Sequence, residues 1–212
     1  MKIHNFPGFF VDIEGLDGSG ASTQVNLVAK DLNSLGLKPF LTKEPTRGPI
    51  GQFIRQALQK KVVLSPDSLQ LLFAADRGEH LAKEIIPRLE KGEIVITDRY
   101  AWSSIAFGSL DLNKEWLFSL NKNFIFPDIT VFIDVDPAIC IQRIGRDNKR
   151  DGGVELFEEE EKLIDVQETY RWLVDKYWWV DIAVIDGEKS KEKVTAEIMS
   201  LLKKRPKFRK MG

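Results

Sequence analysis

The chain has 212 residues, and its 31 Lys and Arg nearly balance its 32 Asp and Glu, which leaves a net charge of -1. A hydrophobic share of 43% with 30% charged residues is a globular composition, and this length holds one sizeable core. One cysteine excludes a disulfide framework, and two histidines cannot build a His-rich zinc site. No apolar run approaches the about 20 residues of a membrane span, and the N-terminus lacks the apolar segment of a signal peptide. We therefore expect a soluble, cytoplasmic protein.

The charge is unevenly distributed along the chain. Residues 203–210 carry six basic side chains, so the rest of the chain has 25 basic against 32 acidic residues. An acidic body is a poor binder of nucleic acid, and we expect no specific nucleic-acid partner. We interpret the basic tail, residues 203–212, as a frayed and solvated terminus.

The predicted elements alternate between strands and helices. Strands are predicted, in chain order, at residues 9–14, 39–42, 94–97, 129–135 and 182–185. Helices are predicted at residues 21–35, 50–59, 65–90 and 190–203, and further helical stretches after the fourth strand are separated by a polar segment, residues 145–153. Because the strands are apolar nearly throughout, we expect an α/β fold in which helices cover both faces of a five-stranded parallel sheet. The sequence shows no repeat or linker, so we expect a single domain, residues 1–212.

A glycine-rich segment joins the first strand to the first helix. It reads Gly15, Leu16, Asp17, Gly18, Ser19, Gly20, Ala21, Ser22 and Thr23. The backbone N–H groups of such a loop cradle phosphates at the N-terminus of a helix. The spacing matches the GxxxxGK[ST] phosphate-loop pattern in every place except one, because Ala21 stands where the lysine belongs. A glycine-rich turn that binds no ligand is the alternative interpretation.

Two further segments are candidates for the same site. Asp98 and Arg99 end the third strand, and ligands of parallel sheets bind at the carboxyl ends of the strands. Asp98 suits Mg²⁺ and Arg99 suits a phosphate, whereas a purely structural ion pair is the alternative. Residues 145–153 are basic and flanked by glycine, which is typical of a closing lid or of a solvated loop.

Three motifs together resemble the thymidylate kinase family. They are E-G-L-D-G-S-G-x-S-T at residues 14–23, L-L-F-A-A-D-R at residues 71–77 and D-R-Y-A-W-S-S-I-A-F at residues 98–107. The resemblance spans residues 9–198, and the second and third motifs are much more specific than a phosphate loop. It implies a three-layer P-loop fold with a lid at about residues 143–155. It also implies a homodimer that phosphorylates dTMP with ATP and Mg²⁺.

The resemblance implies a role for each matching residue of the acceptor-base pocket. Phe73 stacks on thymine in this assignment, Arg77 reaches the O4 edge of the base, and Phe107 lies below the sugar. Ser103 and Ser104 occupy the segment that holds the rest of the pyrimidine edge. By pattern alone, Phe73 and Phe107 are equally typical of core aromatics, although Phe73 and Arg77 share one helix face.

The resemblance also assigns residues to the sugar and to the two phosphates of the reaction. Asp17 corresponds to the loop acid near the sugar 3′-OH. Arg47, which follows Glu44 and Pro45, corresponds to an arginine on the acceptor phosphate, and Arg99 is expected between the donor and acceptor phosphates.

On the donor side, the resemblance assigns the phosphates of ATP to the loop backbone and the adenine to Arg143. Ser22 and Asp98 are expected to hold Mg²⁺.

The chain departs from the family pattern at two positions of the loop. Ala21 removes the loop lysine, and Gly18 stands where some members carry a loop arginine. We therefore expect the lid to supply the missing cations, with Arg146, Lys149 and Arg150 as the candidates. Three functions stay open: a working dTMP kinase, a nucleotide-binding paralogue that has lost catalysis and acts as a sensor or regulatory subunit, and a kinase for another deoxynucleoside monophosphate.

Overall fold

The computed structural model describes residues 1–146, 157 and 159–211 of the chain. The strands are β1 Phe9–Gly15, β2 Phe40–Lys43, β3 Ile94–Asp98, β4 Ile129–Asp134 and β5 Ile182–Asp186. The helices are α1 Ala21–Ser34, α2 Pro49–Leu58, α3 Pro66–His80, α4 Ile86–Glu90, α5 Ala101–Gly108, α6 Lys114–Asn121, α7 Pro137–Arg146, α8 Glu160–Lys176, α9 Lys191–Lys204 and α10 Pro206–Arg209. Within these residues, no helix combines the length and the hydropathy that crossing a membrane requires.

All five strands pair in parallel, in the order β2-β3-β1-β4-β5. The central strand β1 is buried along its whole length, because helices cover both faces of the sheet. This confirms the predicted α/β fold with a five-stranded parallel sheet between helical layers. Asp98 pairs in register with Ile13 on one side and with Lys43 on the other, so the ends of β1, β2 and β3 lie side by side.

Successive side chains of β1 point to opposite faces of the sheet. Phe9 and Ile13 belong to the main apolar cluster, which includes residues of α1, α8 and α9. Phe10 packs on the other face, in a second cluster with residues of the α3–α4 segment. Asp12 and Glu14 share the Phe10 face and are fully buried. Buried acids require polar partners, and those of Glu14 come from the site described below.

The segment predicted as one helix over residues 65–90 is helical throughout but contains a π-helical turn. α3 ends at His80, a π-helical turn follows at Leu81–Ile85, and α4 begins at Ile86. Pro87 has no N–H group, and its ring excludes the carbonyl group four residues earlier, so α-helical hydrogen bonding is interrupted there. The predicted long helix is therefore confirmed, because residues 66–90 are helical without a gap, and the π-helical turn is the one feature that was not predicted. Its predicted start is confirmed, because the side chain of Ser65 caps α3.

The C-terminal residues pack onto the rest of the protein. Phe208 is 4% exposed, and its ring meets an aromatic ring of β1 edge-on at 5.3 Å. Arg205 Nη2 lies 2.5 Å from Asp181 Oδ1, and Lys207 Nζ lies 2.7 Å from Asp128 Oδ1. The prediction of a frayed, solvated tail is wrong for residues 205–208, because acids of the body hold these basic side chains.

Candidate active site

A cleft of about 900 Å³ opens where the strands end. Its walls come from the glycine loop, from the ends of β2 and β3, from α2, α3, α5 and α7, and from the segment after β5. It brings together most of the predicted site residues, namely Leu16, Asp17, Gly18, Ser19, Gly20, Ala21, Ser22, Thr23, Glu44, Pro45, Phe73, Arg77, Asp98, Arg99, Ser103, Ser104, Phe107 and Arg143. Residues from distant parts of the sequence therefore meet in one cavity.

The loop between β1 and α1 has the backbone of a phosphate-binding loop. Gly18 and Gly20 have φ angles of 84° and 96°, in the left-handed region that favours glycine. A Cβ atom on Gly18 would lie 2.4 Å from the carbonyl oxygen of Cys140, so only glycine fits this close approach to α7. Gly20 directly precedes α1, whose first turn lines the cleft. The first N–H groups of that helix are therefore available to an anion.

The lysine position of this loop carries no charge. Ala21 is 5% exposed and belongs to the main apolar cluster. Ser22 Oγ donates a hydrogen bond to Asp98 Oδ2 at 2.5 Å, and Nζ of Lys43 lies 3.2 Å from the same oxygen. A hydroxyl and a carboxylate, completed by the phosphates of a substrate, are the oxygen ligands that Mg²⁺ prefers. Ser22 and Asp98 therefore fit this ion.

Arg99 is held between the glycine loop and α5. Its φ of 73° is left-handed, so the chain turns sharply after β3. Its guanidinium donates to the Gly15 carbonyl at 2.8 Å, to Asp17 Oδ1 at 2.6 Å and to Ser103 Oγ at 3.1 Å. Burial opposes its charge, but Asp17 and other acids more than compensate, so the pKa of Arg99 lies above its usual value. Arg99 is therefore a permanently charged group in a fixed place.

The inner end of the cleft is built around a buried arginine. Arg77 is 1% exposed and donates from Nε to Glu44 Oε2 at 2.9 Å. Its Nη2 donates to the Tyr100 carbonyl at 3.0 Å and to Ser104 Oγ at 2.9 Å, and its Nη1 donates to Asn121 Oδ1. Of the five N–H hydrogens of a guanidinium, one on Nη1 is left over by these contacts with described residues. Because Arg77 lines the cleft, that hydrogen is its remaining donor for a ligand.

Two aromatic side chains line the same end of the cleft. Phe73 lies one turn before Arg77 on α3 and is half-buried. It forms part of the cleft wall and also packs against a small apolar cluster of α2 and α3, so its position is compatible with both alternatives left open for it. The ring of Phe107 lies 5.3 Å from that of Phe157 and 5.1 Å from the Arg99 guanidinium.

A buried acid that the sequence analysis did not assign lies behind the cleft. Glu14 accepts hydrogen bonds from the N–H groups of Tyr100 and Ser103, both at 3.0 Å, and from the hydroxyl of Tyr170 at 2.8 Å. The Ser103 hydroxyl also bonds to Glu14, so it is committed to the scaffold as well as to the cleft. Burial raises the pKa of Glu14, although Arg99 and these donors lower it in part. The sequence signal for this role is an acid inside an otherwise apolar strand.

The structure brings a different arginine to the cleft than the predicted Arg47. Arg47 is exposed and is absent from the described residues that line the cavity. Arg55 of α2 does line it, and its two terminal nitrogens donate to the carbonyl oxygens of Pro45 and Thr46. Sequence reasoning missed Arg55 because only the orientation of α2 decides which of its faces meets the cleft.

The outer end of the cleft joins the glycine loop to the segment after β5. Arg143 makes this link, with Nη1 3.3 Å from the Ser19 carbonyl oxygen and Nη2 3.3 Å from that of Gly187. Arg146 ends α7, is exposed and is not among the described lining residues. Outside the described residues lie Lys149, Arg150 and most of the predicted lid, residues 147–155.

Comparison with known proteins agrees with this geometry. The family model described as thymidylate kinase matches residues 13–198. A probable thymidylate kinase of Pyrobaculum aerophilum is 39% identical over 203 residues, which cover 94% of this chain and 99% of that protein. A probable thymidylate kinase of Pyrococcus abyssi is 36% identical over 204 residues, which cover 92% and 96% of the two chains. The chain belongs to the thymidylate kinase family.

Proposed function

We propose that the protein is a dTMP kinase, which transfers the γ-phosphoryl group of ATP to the phosphate of dTMP and yields ADP and dTDP. The observation that carries this proposal is the continuity of the cleft, in which Arg99 lies between the glycine loop and the pocket of Phe73 and Arg77. Phosphoryl transfer between two nucleotides needs a donor site and an acceptor site in one cavity, because its catalysis is mostly positioning and charge neutralisation.

At the acceptor end, Phe73 stacks on the pyrimidine and the remaining Nη1 hydrogen of Arg77 donates to O4 of thymine. The other hydrogens of Arg77 are held by Glu44, Asn121, Ser104 and a backbone carbonyl, so the guanidinium has one fixed orientation. A fixed N–H group can donate to the carbonyl oxygen of thymine. It disfavours the amino group of cytosine, which is itself a donor.

At the acceptor phosphate, Arg99 and Arg55 supply the positive charges. Arg55 takes the place expected for Arg47 because Arg55 lines the cleft. Asp17, which pairs with Arg99, is proposed to lie near the sugar 3′-OH. The acceptor phosphate is already an anionic nucleophile at neutral pH, so the reaction needs no strong general base.

At the donor end, the glycine loop holds the phosphates of ATP and Arg143 lies against adenine. Ser22 and Asp98 hold Mg²⁺, which when bound neutralises and orients the β- and γ-phosphate oxygens. The lid residues Arg146, Lys149 and Arg150 are proposed to add positive charge as the lid closes. Alanine substitution of each in turn is expected to lower the single-turnover rate about 100-fold in at least one case. Three unchanged rates would remove the lid from the chemistry.

Two rival functions remain to be separated from this one. Ala21 favours a nucleotide-binding paralogue that has lost catalysis, whereas the complete acceptor pocket argues for an enzyme. A kinase for another deoxynucleoside monophosphate is the second rival. A coupled assay of ADP formation with ATP, Mg²⁺ and dTMP, dUMP, dCMP, dGMP or dAMP distinguishes all three.

We expect dTMP to support the fastest turnover in that assay. ATP binding without turnover of any acceptor would show the lapsed paralogue, and a faster acceptor than dTMP would show the other kinase. Asp98→Asn, which removes a charge from the proposed Mg²⁺ ligands, serves as the control for contaminating kinases, since it should abolish the signal.

We also propose a homodimer, which the family resemblance implies, and a cytoplasmic location, which the sequence analysis predicts. Phe53 of α2 and Leu71 of α3 are 39% and 51% exposed, and these large apolar side chains give a surface on which to test the dimer. Sedimentation equilibrium of the protein and of Leu71→Glu checks the proposal, with dissociation expected for the variant if α3 lies in the interface.

A further inference from the structure

A lysine at the end of β2 lies beside the loop that lacks its own lysine. Lys43 pairs in register with Asp98, and its Nζ lies 3.2 Å from Asp98 Oδ2. That same oxygen accepts the hydrogen bond of Ser22, the residue that follows Ala21. The ammonium group of Lys43 is therefore linked through Asp98 to Ser22, the neighbour of the neutral loop position.

The other cations that line the described part of the cleft are committed elsewhere or lie at its other side. Arg77 and Arg99 are bound to acids and carbonyl oxygens. Arg55 and Arg143 donate to backbone carbonyl oxygens. Lys189 Nζ lies 2.8 Å from Glu197 Oε1, and both Lys189 and Lys191 follow β5, at the opposite edge of the sheet from β2. Of the three lysines that line the described part of the cleft, Lys43 is the one that pairs with Asp98.

The environment of Lys43 lets its charge move without a large desolvation cost. Its side chain is 53% exposed, whereas that of Asp98 is 7% exposed. A lysine carries a compact charge on a flexible four-carbon stem, so it can follow an anion over several ångströms. If Asp98 held Mg²⁺, its carboxylate would neutralise Lys43 less, and the ammonium group would be available to the donor phosphates.

We infer that Lys43 supplies the cation that the loop lacks at Ala21, by placing its ammonium group on the β- and γ-phosphates of ATP. The inference rests on the proposed kinase function. It gives β2 a catalytic side chain and makes the sequence compatible with an active enzyme without a loop lysine.

Lys43→Met tests the inference by binding as well as by rate. In the presence of Mg²⁺, the affinities for the β,γ-imido analogue of ATP and for ADP are measured by calorimetry. Because a charge-assisted hydrogen bond corresponds to about tenfold or more in affinity, the preference for the triphosphate is expected to fall at least about tenfold. The single-turnover rate with dTMP is expected to fall at least about 100-fold, and Lys43→Arg, which keeps the charge, is expected to retain most of it.

A second-site substitution makes the test specific. Ala21→Lys restores the loop charge, so in the Lys43→Met background it is expected to recover at least about tenfold in rate and in triphosphate preference. In the otherwise unchanged protein, Ala21→Lys is expected to gain less in either quantity than it does in the Lys43→Met background, because the charge is already supplied. Lys30→Met, an exposed lysine of α1 outside the described cleft lining, is the matched control and is expected to change neither.

Wild-type triphosphate preference in a folded Lys43→Met protein would overturn the inference, since Lys43 would then be only the counter-ion of Asp98. Loss of rate in a lid variant with no loss in Lys43→Met would overturn it as well. If Lys43→Met does not fold, Lys43→Gln carries the same expectations. A protein that phosphorylates no dTMP, yet loses its triphosphate preference on Lys43→Met, would refute the proposed function and support the role of Lys43.

Discussion

The two ends of the cleft are stabilised in different ways. At the acceptor-base end, Arg77, Glu44 and Ser104 are buried and bound to one another, so their positions are set by the folded protein itself. At the donor end, Ser22 is exposed and Lys43 is half-exposed. The glycine loop carries no charge at Ala21. The proposed base end is therefore fixed by burial and hydrogen bonds, whereas Ser22 and Lys43 at the proposed donor end are more exposed to solvent.

The buried base end extends behind the cleft through the other carboxylate oxygen of Glu44. Nδ1 of His80 lies 3.0 Å from Glu44 Oε1, and Nε2 of His80 lies 2.6 Å from Thr42 Oγ1. Glu44, the acid partner of Arg77, is thus held by a further partner, which fixes a hydrogen-bonding group more precisely than a single contact does. We therefore expect specificity and catalytic charge to be separable in this protein, and substitutions at each end test that separation.

The largest effect is expected at Arg99, where the two ends meet. Arg99→Met removes a charge proposed to lie between the donor and acceptor phosphates, so the single-turnover rate is expected to fall about 1,000-fold. Arg99→Lys is expected to recover only part of this, because a lysine lacks the planar fork that bonds Gly15 and Asp17 together. Arg88→Met, which alters an arginine stacked on Phe40 outside the cleft, is the matched control. A loss below about tenfold for Arg99→Met would mean that Arg99 only supports the loop.

The next effect concerns binding at the base end alone. Base–aromatic stacking is worth about 1–3 kcal/mol, so Phe73→Ala is expected to weaken dTMP binding by about 10- to 100-fold. ATP binding is expected to stay unchanged, because Phe73 lies at the other end of the cleft. Calorimetric titration of each nucleotide measures both quantities, with Phe53→Ala as a control on a similar ring outside the described lining. Equal affinity for dTMP in Phe73→Ala and in the unaltered protein would make Phe73 a core residue.

A smaller effect distinguishes thymine from uracil, which differ by one methyl group. A methyl-sized difference is worth only about 1–3 kcal/mol of discrimination, so dUMP is expected to be used with a kcat/KM about 10- to 100-fold below that of dTMP. A purine monophosphate is expected to fail, because the fixed Arg77 and the ring of Phe73 leave no room for a second ring. Comparison of kcat/KM across the nucleotides checks this. Efficient turnover of dGMP or dAMP would show that the base end is not the rigid pocket described here.

The sequence predicts the sheet well and the contacts between distant segments poorly. Strand β1 was predicted at residues 9–14 and is Phe9–Gly15, because a run of aromatic and β-branched residues ends at glycines. α5 was not predicted, since Ala101–Gly108 is buried on nearly every side and so lacks an amphipathic period. The involvement of Arg55 and the ion pair of Lys207 with Asp128 depend on tertiary packing, which no local pattern encodes.

The sequence motifs predict many of the residues that line the cleft, but they do not predict the partners that hold those residues. The resemblance identified Arg77 and Ser103 as ligands of the base. The structure shows that the Ser103 hydroxyl is bonded to Glu14 and that four of the five hydrogens of Arg77 are committed to described neighbours. Hydrogen-bond saturation is a property of the packed protein, so it was beyond the reach of the sequence.

The smallest predicted effect lies beneath the base end, at Asp12. This side chain is fully buried, one of its oxygens accepts from Thr130 Oγ1 at 3.2 Å, and the other has no hydrogen-bond partner among the described residues. Burial, followed by the charge of Glu14, raises the pKa of Asp12 well above its usual value. The folded protein therefore binds this proton more tightly than the unfolded chain does.

A folded-state pKa that is raised makes the protein less stable as the pH rises. Between the ordinary pKa of an aspartate, about 3.9, and the raised value, the folded state holds the proton that the unfolded state has lost, so stability falls by at most about 1.4 kcal/mol per pH unit. Asp12→Asn cannot ionise, and its free energy of unfolding relative to the unaltered protein is expected to rise steadily from about pH 5 upward. Urea denaturation at several pH values measures this difference. Glu115→Gln, which changes an exposed acid whose pKa is lowered by a backbone hydrogen bond and by Lys176, is the control and is expected to give a constant difference over the same range. A constant difference for Asp12→Asn as well would show that Asp12 is charged in the folded protein, and the base end would then rest on a buried anion close to Glu44 and Arg77.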